Sequence, residues 1–474
     1  MSPPSDAQKS PSRPTTTEWR ELVAQAFGGA DAIRSLTSTS LDGIEIEPLY
    51  RADEALAERA FDLFGTSSAA WEIGSLVTTN DPAIANRQIL EDLEGGAGAV
   101  TLRLAAPGQS GLPTRLDAVS AALDGVHLGL VPVGFLAGDQ YFGALQCLMA
   151  LWDQHGIAAA SRRARLNADP LGTLAGTGAL EQDLYSTLEV LGHFIGQNID
   201  NMLSVSLLLA DGRPWHDAGA SEAEELAATL ATAVEYLRSA KFEGVPATRL
   251  LPRLSIALGA DADVLLSIAK FRAMRQLLRR TALSLEAGET WQRVAIEATT
   301  SKRMQSAVDC ETNILRNTLA VAAAALGGAN TITALPHTVR CGEADAGARR
   351  IARNIGVVLQ EEAHLDRVVD PAGGSGAVEA LTNALARKAW EIFQTIEAEG
   401  GMAKALLTGS LIARIHATAG RRRQAIASGE TKLVGVNAFA VNGQHPPVLP
   451  PHPAPAPIVG GGERIAPLAP FTVD

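Results

Sequence analysis

Between residues 71 and 337, short apolar runs of strand length alternate with longer stretches of helical periodicity, about eight times over. The runs are WEIGSLV (71–77), AVTLRL (99–104), VHLGLVPV (126–133), RARLNAD (163–169), MLSVSLLLAD (202–211), LSIALGAD (254–261), VAIEATT (294–300) and TITALPH (331–337). Strands connected through helices must run parallel, and parallel strands covered on their faces read as apolar segments. Eight such units predict a closed α/β fold, an eight-stranded parallel β/α barrel of the TIM type. A doubly wound open sheet is the alternative. It would place a GxGxxG turn after the first strand, where this chain has VTTNDP instead.

Local signals mark the helices. Asp81-Pro82 opens one that ends at Gly95-Gly96: Asp caps a helix, Pro suits its first turn and Gly closes it. Further helices are expected over 115–124, 139–154, 180–199, 262–284, 311–326, 343–362 and 377–398. Ser221 with Glu224 forms a capping box, and Leu226, Leu230, Val234 and Leu237 then mark one helix face. The ends differ from this pattern. Residues 1–40 form an N-terminal arm, partly disordered, whose first 17 residues are rich in Ser, Pro and Thr. Residues 41–440 form the barrel, and 441–474 a proline-rich C-terminal tail expected to be extended and disordered.

Composition narrows the class of partner. Forty basic against 52 acidic residues leave a net charge of −12, which disfavours nucleic acid and anionic membrane surfaces. No apolar run reaches the ~20 residues of a membrane span, and the N-terminus lacks a secretory apolar core, so the expected location is cytoplasmic. The three cysteines, Cys147, Cys310 and Cys341, form no CxxC pair, so neither a disulfide framework nor a thiolate metal site is expected.

In a barrel of this kind, chemistry sits at the C-terminal ends of the strands. No carboxylate pair or metal-ligand cluster is visible there, and no catalytic residue is assigned. If the chain is active by itself, the candidates are His216, Asp217 and His337, since histidine titrates near neutrality. Arg272, Arg275 and Arg279 share one helix face and are the candidates for holding a phosphate-bearing ligand, against the plainer reading of a solvated face. The triplet Arg421–Arg423 is too short to signal nucleic acid. Gly192-His193-Phe194-Ile195-Gly196 contains the HxxG of a cobalt-ligating loop, but Leu191 stands where that loop needs Asp, and the segment reads as helical. Gly373-Gly374-Ser375-Gly376 lacks the Gly-Lys-Ser/Thr of a phosphate loop.

Several long segments carry a resemblance together: DGIEIEPLY (42–50), NDPAIANRQILEDLEGGA (80–97), DGRPWHDAGASEAEELAATLATAVEYLR (211–238), LLSIAKFRAMRQLL (265–278), NILRNTLAVAAAALGGANTI (313–332), residues 349–402 and RRRQAIASGETKLVGVN (421–437). Over roughly 40–440 the chain resembles the barrel domain of the adenosylcobalamin-dependent methylmalonyl-CoA mutase family. That resemblance implies a barrel which, in catalytic members, threads the CoA chain along its axis. A separate flavodoxin-like domain presents cobalamin, and radical chemistry interconverts methylmalonyl-CoA and succinyl-CoA. Catalytic members carry RQYAGF after the first strand, where WEIGSLVTTN offers no Tyr. Where they have the His of GYHMQEAG, alignment on Asp217-Ala218-Gly219 places Pro214, and Thr333 stands where the His of LHTNSF would fall.

With those residues lost, and no cobalamin-binding domain expected after residue 440, the chain resembles the small (β) subunit of the family. The resemblance then implies a non-catalytic partner of a catalytic large (α) subunit in a heterodimer. Adenosylcobalamin would be bound by the partner subunit and none by this chain, with the CoA thioester met only through the complex. Three other readings stay open: an independent barrel enzyme with a polar pocket at the strand ends, a subunit of another acyl-CoA mutase, and a regulatory or chaperone-like subunit serving a cobalamin enzyme.

Overall fold

A computed structural model of the chain describes residues 15–29, 32–50, 70–441, 443, 445–458 and 461–472. Eight strands close a parallel barrel: β1 (Glu72–Val77), β2 (Ala99–Arg103), β3 (Val133–Leu136), β4 (Ala164–Ala168), β5 (Val205–Asp211), β6 (Leu254–Ala260), β7 (Ala295–Thr300) and β8 (Thr331–Thr333). Each strand pairs with its neighbours in sequence, and β8 pairs with both β7 and β1 to close the ring. The connecting helices used below are α1 (Pro82–Glu94), α2 (Leu116–Ala122), α3 (Tyr141–Gln154), α4 (Leu184–Asn198), α5 (Glu222–Phe242), α6 (Val264–Ser284), α7 (Thr312–Leu326), α8 (Ala346–Glu361) and α9 (Gly376–Ala398). No helix among the described residues is long and apolar enough to cross a membrane.

The caps form as their chemistry requires. The Asp81 carboxylate accepts from the backbone N–H groups of Ala83 (2.8 Å) and Ile84 (3.0 Å), two of the donors a helix start leaves unpaired. Ser221 and Glu224 exchange their reciprocal bonds at the start of α5.

Four features differ from the sequence expectation. The run 126–133 contributes only its last residue to β3, because Pro132 has no N–H to give a ladder and the strand starts just beyond it. The last strand is three residues long, and Pro336 follows it in a turn. A helix at Pro170–Thr177, capped by Asp169, precedes α4.

The fourth is the tail, which is bound to the barrel along its length. Ile465 N–H donates to the carbonyl of Gly178, Leu468 N–H to that of Ala175 and Phe471 N–H to that of Asp217, at 3.0, 2.9 and 2.6 Å. Leu468 and Phe471 are buried. Prolines cannot supply a core of their own, but an extended chain with free N–H groups between them and two apolar anchors can dock on one already built. Of the N-terminal arm, residues 1–14, 30 and 31 lie outside the described residues; the rest holds helices at Thr16–Phe27 and Ala32–Leu36 and a two-residue strand at Ser38–Thr39.

Strand alternation separates two environments. Val77, Val100, Leu102 and Ile332 face the helices and are buried in the main core, and Ile73 is buried beside Gly356 of α8. The opposite face is polar. Arg165 on β4 pairs with Glu72 on β1 and lies 3.8 Å from Glu297 on β7; these strands are not neighbours, so the three side chains meet across the barrel lumen. Gly74 and Gly134 are also on this face, where an added Cβ would strike the hydroxyls of Thr333 and Thr101. At this level the lumen is lined by small and charged groups, while Leu136 and Leu209 stand at its mouth.

Candidate functional site at the barrel mouth

At the C-terminal ends of the strands lies a cavity of about 410 Å³. Arg103 from the end of β2, Asn167 from β4, Asp211 from β5 and Lys302 beyond β7 line it, and Pro455 and Pro470 of the tail close one side. The β4–β5 register shifts between Arg165 and Ala168, and Asn167 adopts a left-handed φ of 53° within that irregularity. Asn tolerates this conformation better than most residues, and bulges beside functional sites re-aim side chains. Both polar atoms of the Asn167 amide are buried and without a partner among the described residues. Such a group costs about 1–3 kcal/mol unless something pairs with it.

The cavity walls are charged. Arg213 grips Asp211 with two bonds of 2.7 Å and reaches the Thr299 hydroxyl at 3.2 Å. Asp169 accepts from Gly172 N–H and from the Tyr236 hydroxyl; burial and the nearby Asp211 carboxylate push its acid up to about 7. Arg103 has no carboxylate within ion-pair distance among the described residues, and burial together with the Arg213 charge brings it down to about 10. Burial also lowers Lys302, which the neighbouring Asp217 partly offsets.

His216 and Asp217, adjacent in sequence, serve different places. His216 is fully buried: its Nδ1 is 2.8 Å from Glu225 Oε2 and its Nε2 is 2.8 Å from Ser301 Oγ. Glu225 Oε2 also accepts from Lys270 Nζ at 2.7 Å, and Oε1 from Gly259 N–H at 2.7 Å. The carboxylate assigns the proton to Nδ1, which leaves Nε2 to accept the serine hydroxyl. Burial and the Arg303 and Lys270 charges hold His216 well below its usual range, so the ring is neutral. Ser301–His216–Glu225 has the connectivity of a hydrolytic triad. Yet Ser301 is itself buried, takes a second bond from Met304 N–H and does not line the mouth cavity. Glycine is required at 259, where an added Cβ would fall 2.5 Å from the imidazole. This cluster fastens β5, β6 and β7 to α5 and α6.

Asp217 is half-buried; burial pushes it up to about 6 against the pull of Lys302 and Arg303. His337 lies in the loop after β8, lowered by burial, with its Nδ1 unpartnered among the described residues. The structure does not bring it together with His216.

Two of the three arginines on this face, Arg272 and Arg275, are buried. Arg272 pairs with Asp370 and, at 2.7 Å, with Glu379, tying α6 to α9. Arg275 donates to the carbonyls of Val294 (3.3 Å) and Gly328 (3.1 Å) and to Asn330 Oδ1 (2.9 Å). Only Arg279 reaches open space, in a groove of about 530 Å³ lined by α6 and α9 alone. Sequence reasoning missed Arg103, Asn167 and Lys302; the signal was available in their places at the ends of β2 and β4 and just beyond β7.

Among the described residues, no three His, Cys, Asp or Glu are placed to hold a metal ion. His193, the one candidate for cobalt ligation, lies within the regular helix α4, with Nε2 2.8 Å from the Gln197 amide. That geometry does not fit a ligand-donating loop. At the two positions where the catalytic pattern has histidine, Pro214 lines the mouth cavity and Thr333 packs beside Gly74.

Residues 64–455 match the family model described as methylmalonyl-CoA mutase. The methylmalonyl-CoA mutase small subunit of Streptomyces virginiae is 37% identical over 469 residues, covering 95% of this chain and 74% of that protein. The methylmalonyl-CoA mutase small subunit of Propionibacterium freudenreichii subsp. shermanii is 32% identical over 436 residues, covering 90% and 67%. The methylmalonyl-CoA mutase of Cereibacter sphaeroides is 28% identical over 465 residues, covering 90% and 65%.

Proposed function

The chain belongs to the methylmalonyl-CoA mutase family, and on that premise we propose that it acts as the small subunit, a barrel scaffold for a catalytic large subunit. The enzyme as a whole interconverts methylmalonyl-CoA and succinyl-CoA with adenosylcobalamin, which supplies the radical. In this reading the large subunit binds both the cofactor and the reacting thioester, and the two chains form a heterodimer in the cytoplasm. Residues 41–440 serve as the scaffold and 441–474 as a strap over its mouth.

One observation carries the non-catalytic part. The mouth has Pro214 where a catalytic histidine would stand, while the nearby His216 is committed to a sealed cluster. A side chain with no N–H and no titratable atom can neither hydrogen-bond nor protonate a thioester. Co-expression with a large subunit should give a one-to-one complex with mutase activity, and this chain with adenosylcobalamin and methylmalonyl-CoA should form no succinyl-CoA by itself. Turnover by the isolated chain overturns the reading.

A second reading has its own support. Arg103 and the unpartnered Asn167 amide make the mouth suited to an anionic ligand, so a CoA thioester or another acyl-CoA can still dock without reacting. Calorimetric titration of the complex with a non-reacting CoA thioester tests it. Arg103→Gln should abolish binding if the mouth is the site and leave it unchanged if it is not.

A further inference from the structure

Two of the three cysteines lie together, although 30 residues separate them in the chain. Cys310 Sγ is 2.7 Å from Cys341 Sγ, and the Ala307 carbonyl lies 3.3 Å from the first sulfur and 3.5 Å from the second. Cys310 is buried in the loop between β7 and α7; Cys341 is partly exposed and follows β8. Both are free thiols, as is Cys147, which is buried in α3.

The loop that carries Cys341 also seats the tail, and the loop that carries Cys310 packs against the segment that leads into it. Glu343 N–H donates to the Pro450 carbonyl at 2.8 Å, and His452 Nε2 lies 2.8 Å from the Val339 carbonyl. Gly342, at φ 149°, packs so closely that an added Cβ would fall 2.4 Å from the Pro450 oxygen. On the other loop, an added Cβ at Gly435 would strike the Asp309 carboxylate. Anything that joins Cys310 to Cys341 therefore joins two loops of the barrel face beneath the strap.

We propose that Cys310 and Cys341 form an oxidisable dithiol site, converted by a peroxide into a disulfide that locks the seat of the strap beside the barrel mouth. The partly exposed Cys341, on losing its proton, attacks the peroxide, breaking its O–O bond and giving a sulfenic acid and hydroxide, which takes up a proton as water. The Cys310 sulfur then attacks the Cys341 sulfur, and the departing hydroxyl leaves with the Cys310 proton as a second water. Two thiols and one peroxide become one disulfide and two waters, each sulfur losing one electron. Burial pushes the Cys310 thiol up to about 12, so it keeps its proton until this second step and Cys341 is oxidised first. A dithiol reductant reverses the reaction by exchange.

The test is peroxide treatment of the folded chain, followed by acid quench, thiol alkylation and peptide mapping. The expected result is loss of two hydrogens, a linked peptide pair containing Cys310 and Cys341, and Cys147 still alkylated. Dithiothreitol should restore all three thiols. Amide exchange around Gly342 and Glu343 should slow in the oxidised form, and Cys341→Ser should abolish both the link and the slowing. Sulfinic acid accumulating on Cys341 beside a still-alkylated Cys310, or no change in any thiol, overturns the proposal. The wild-type mapping decides the matter even if the serine variant fails to fold.

Discussion

Two charged regions sit side by side at the C-terminal end of the barrel, and they are built on opposite terms. Behind β5–β7, His216, Glu225, Lys270 and Ser301 are sealed from solvent and bonded to one another. In the mouth, Arg103 stands without a carboxylate and the Asn167 amide is unpartnered among the described residues. Burying charge is costly unless every group is paired, so the first region is a fastening whose members depend on one another. The second has unmet bonding capacity, which is what a ligand site needs. A His-Asp dipeptide at a strand end suggests chemistry; here its histidine belongs to the fastening, and the binding potential lies with residues that carry no such signature.

The contrast breaks most visibly at Lys270. Lys270→Met leaves Glu225 buried with an uncompensated charge, and denaturant unfolding should show a loss of about 3–5 kcal/mol. If the loss is under about 1 kcal/mol, a size typical of surface substitutions and exposed ion pairs, the sealed cluster is not a fastening. Phe471→Ala removes the tail's anchor against Ala419, Ile426, Leu433 and Val436. It should weaken strap docking by about 3 kcal/mol, read as early proteolysis within 461–472 while barrel unfolding stays in place.

His216→Leu removes one partner from each of Glu225 and Ser301 and should cost about 1–3 kcal/mol. Its pH dependence sharpens the assignment. Because the folded-state pKa is depressed, the unfolded chain takes up a proton below about pH 6.5 that the folded chain refuses. The wild type should therefore lose stability on acidification below that point, by at most about 1.4 kcal/mol per pH unit from this group. His216→Leu should lack that part of the slope. The raised Asp217 works in the opposite sense, favouring the fold as pH falls toward 4, so the difference between the two proteins isolates the histidine. The smallest stability effect is expected in the mouth: Arg103→Gln should shift unfolding by no more than about 0.5 kcal/mol, since no ion pair is broken.

Much of the fold is legible in the chain because its signals are local. Asp81-Pro82, Ser221 with Glu224, and the apolar runs of β5 to β7 each act within a few residues. Asp169-Pro170 carries the same capping signal as Asp81-Pro82, but its Asp closes the apolar run 163–169, which hides the helix start behind a strand pattern. The apolar run 126–133 extends past Pro132, but the strand cannot, because Pro132 has no N–H for the ladder. The sites are less legible, since their partners are distant. His216 meets groups 9, 54 and 85 residues away. The spacing of Arg272 and Arg275 identified their shared helix face, but not that Glu379, 107 residues on from Arg272, would bury it. Proline content described how the tail behaves alone, whereas its conformation is decided by barrel carbonyls at 175, 178 and 217.

The most direct test of a scaffold role is a mutase assay of three preparations: this chain, its large subunit and the two together. Succinyl-CoA formation that requires the large subunit, with a one-to-one complex in the mixture and none from this chain supplied with adenosylcobalamin, is the predicted result. Succinyl-CoA produced by this chain alone would contradict it.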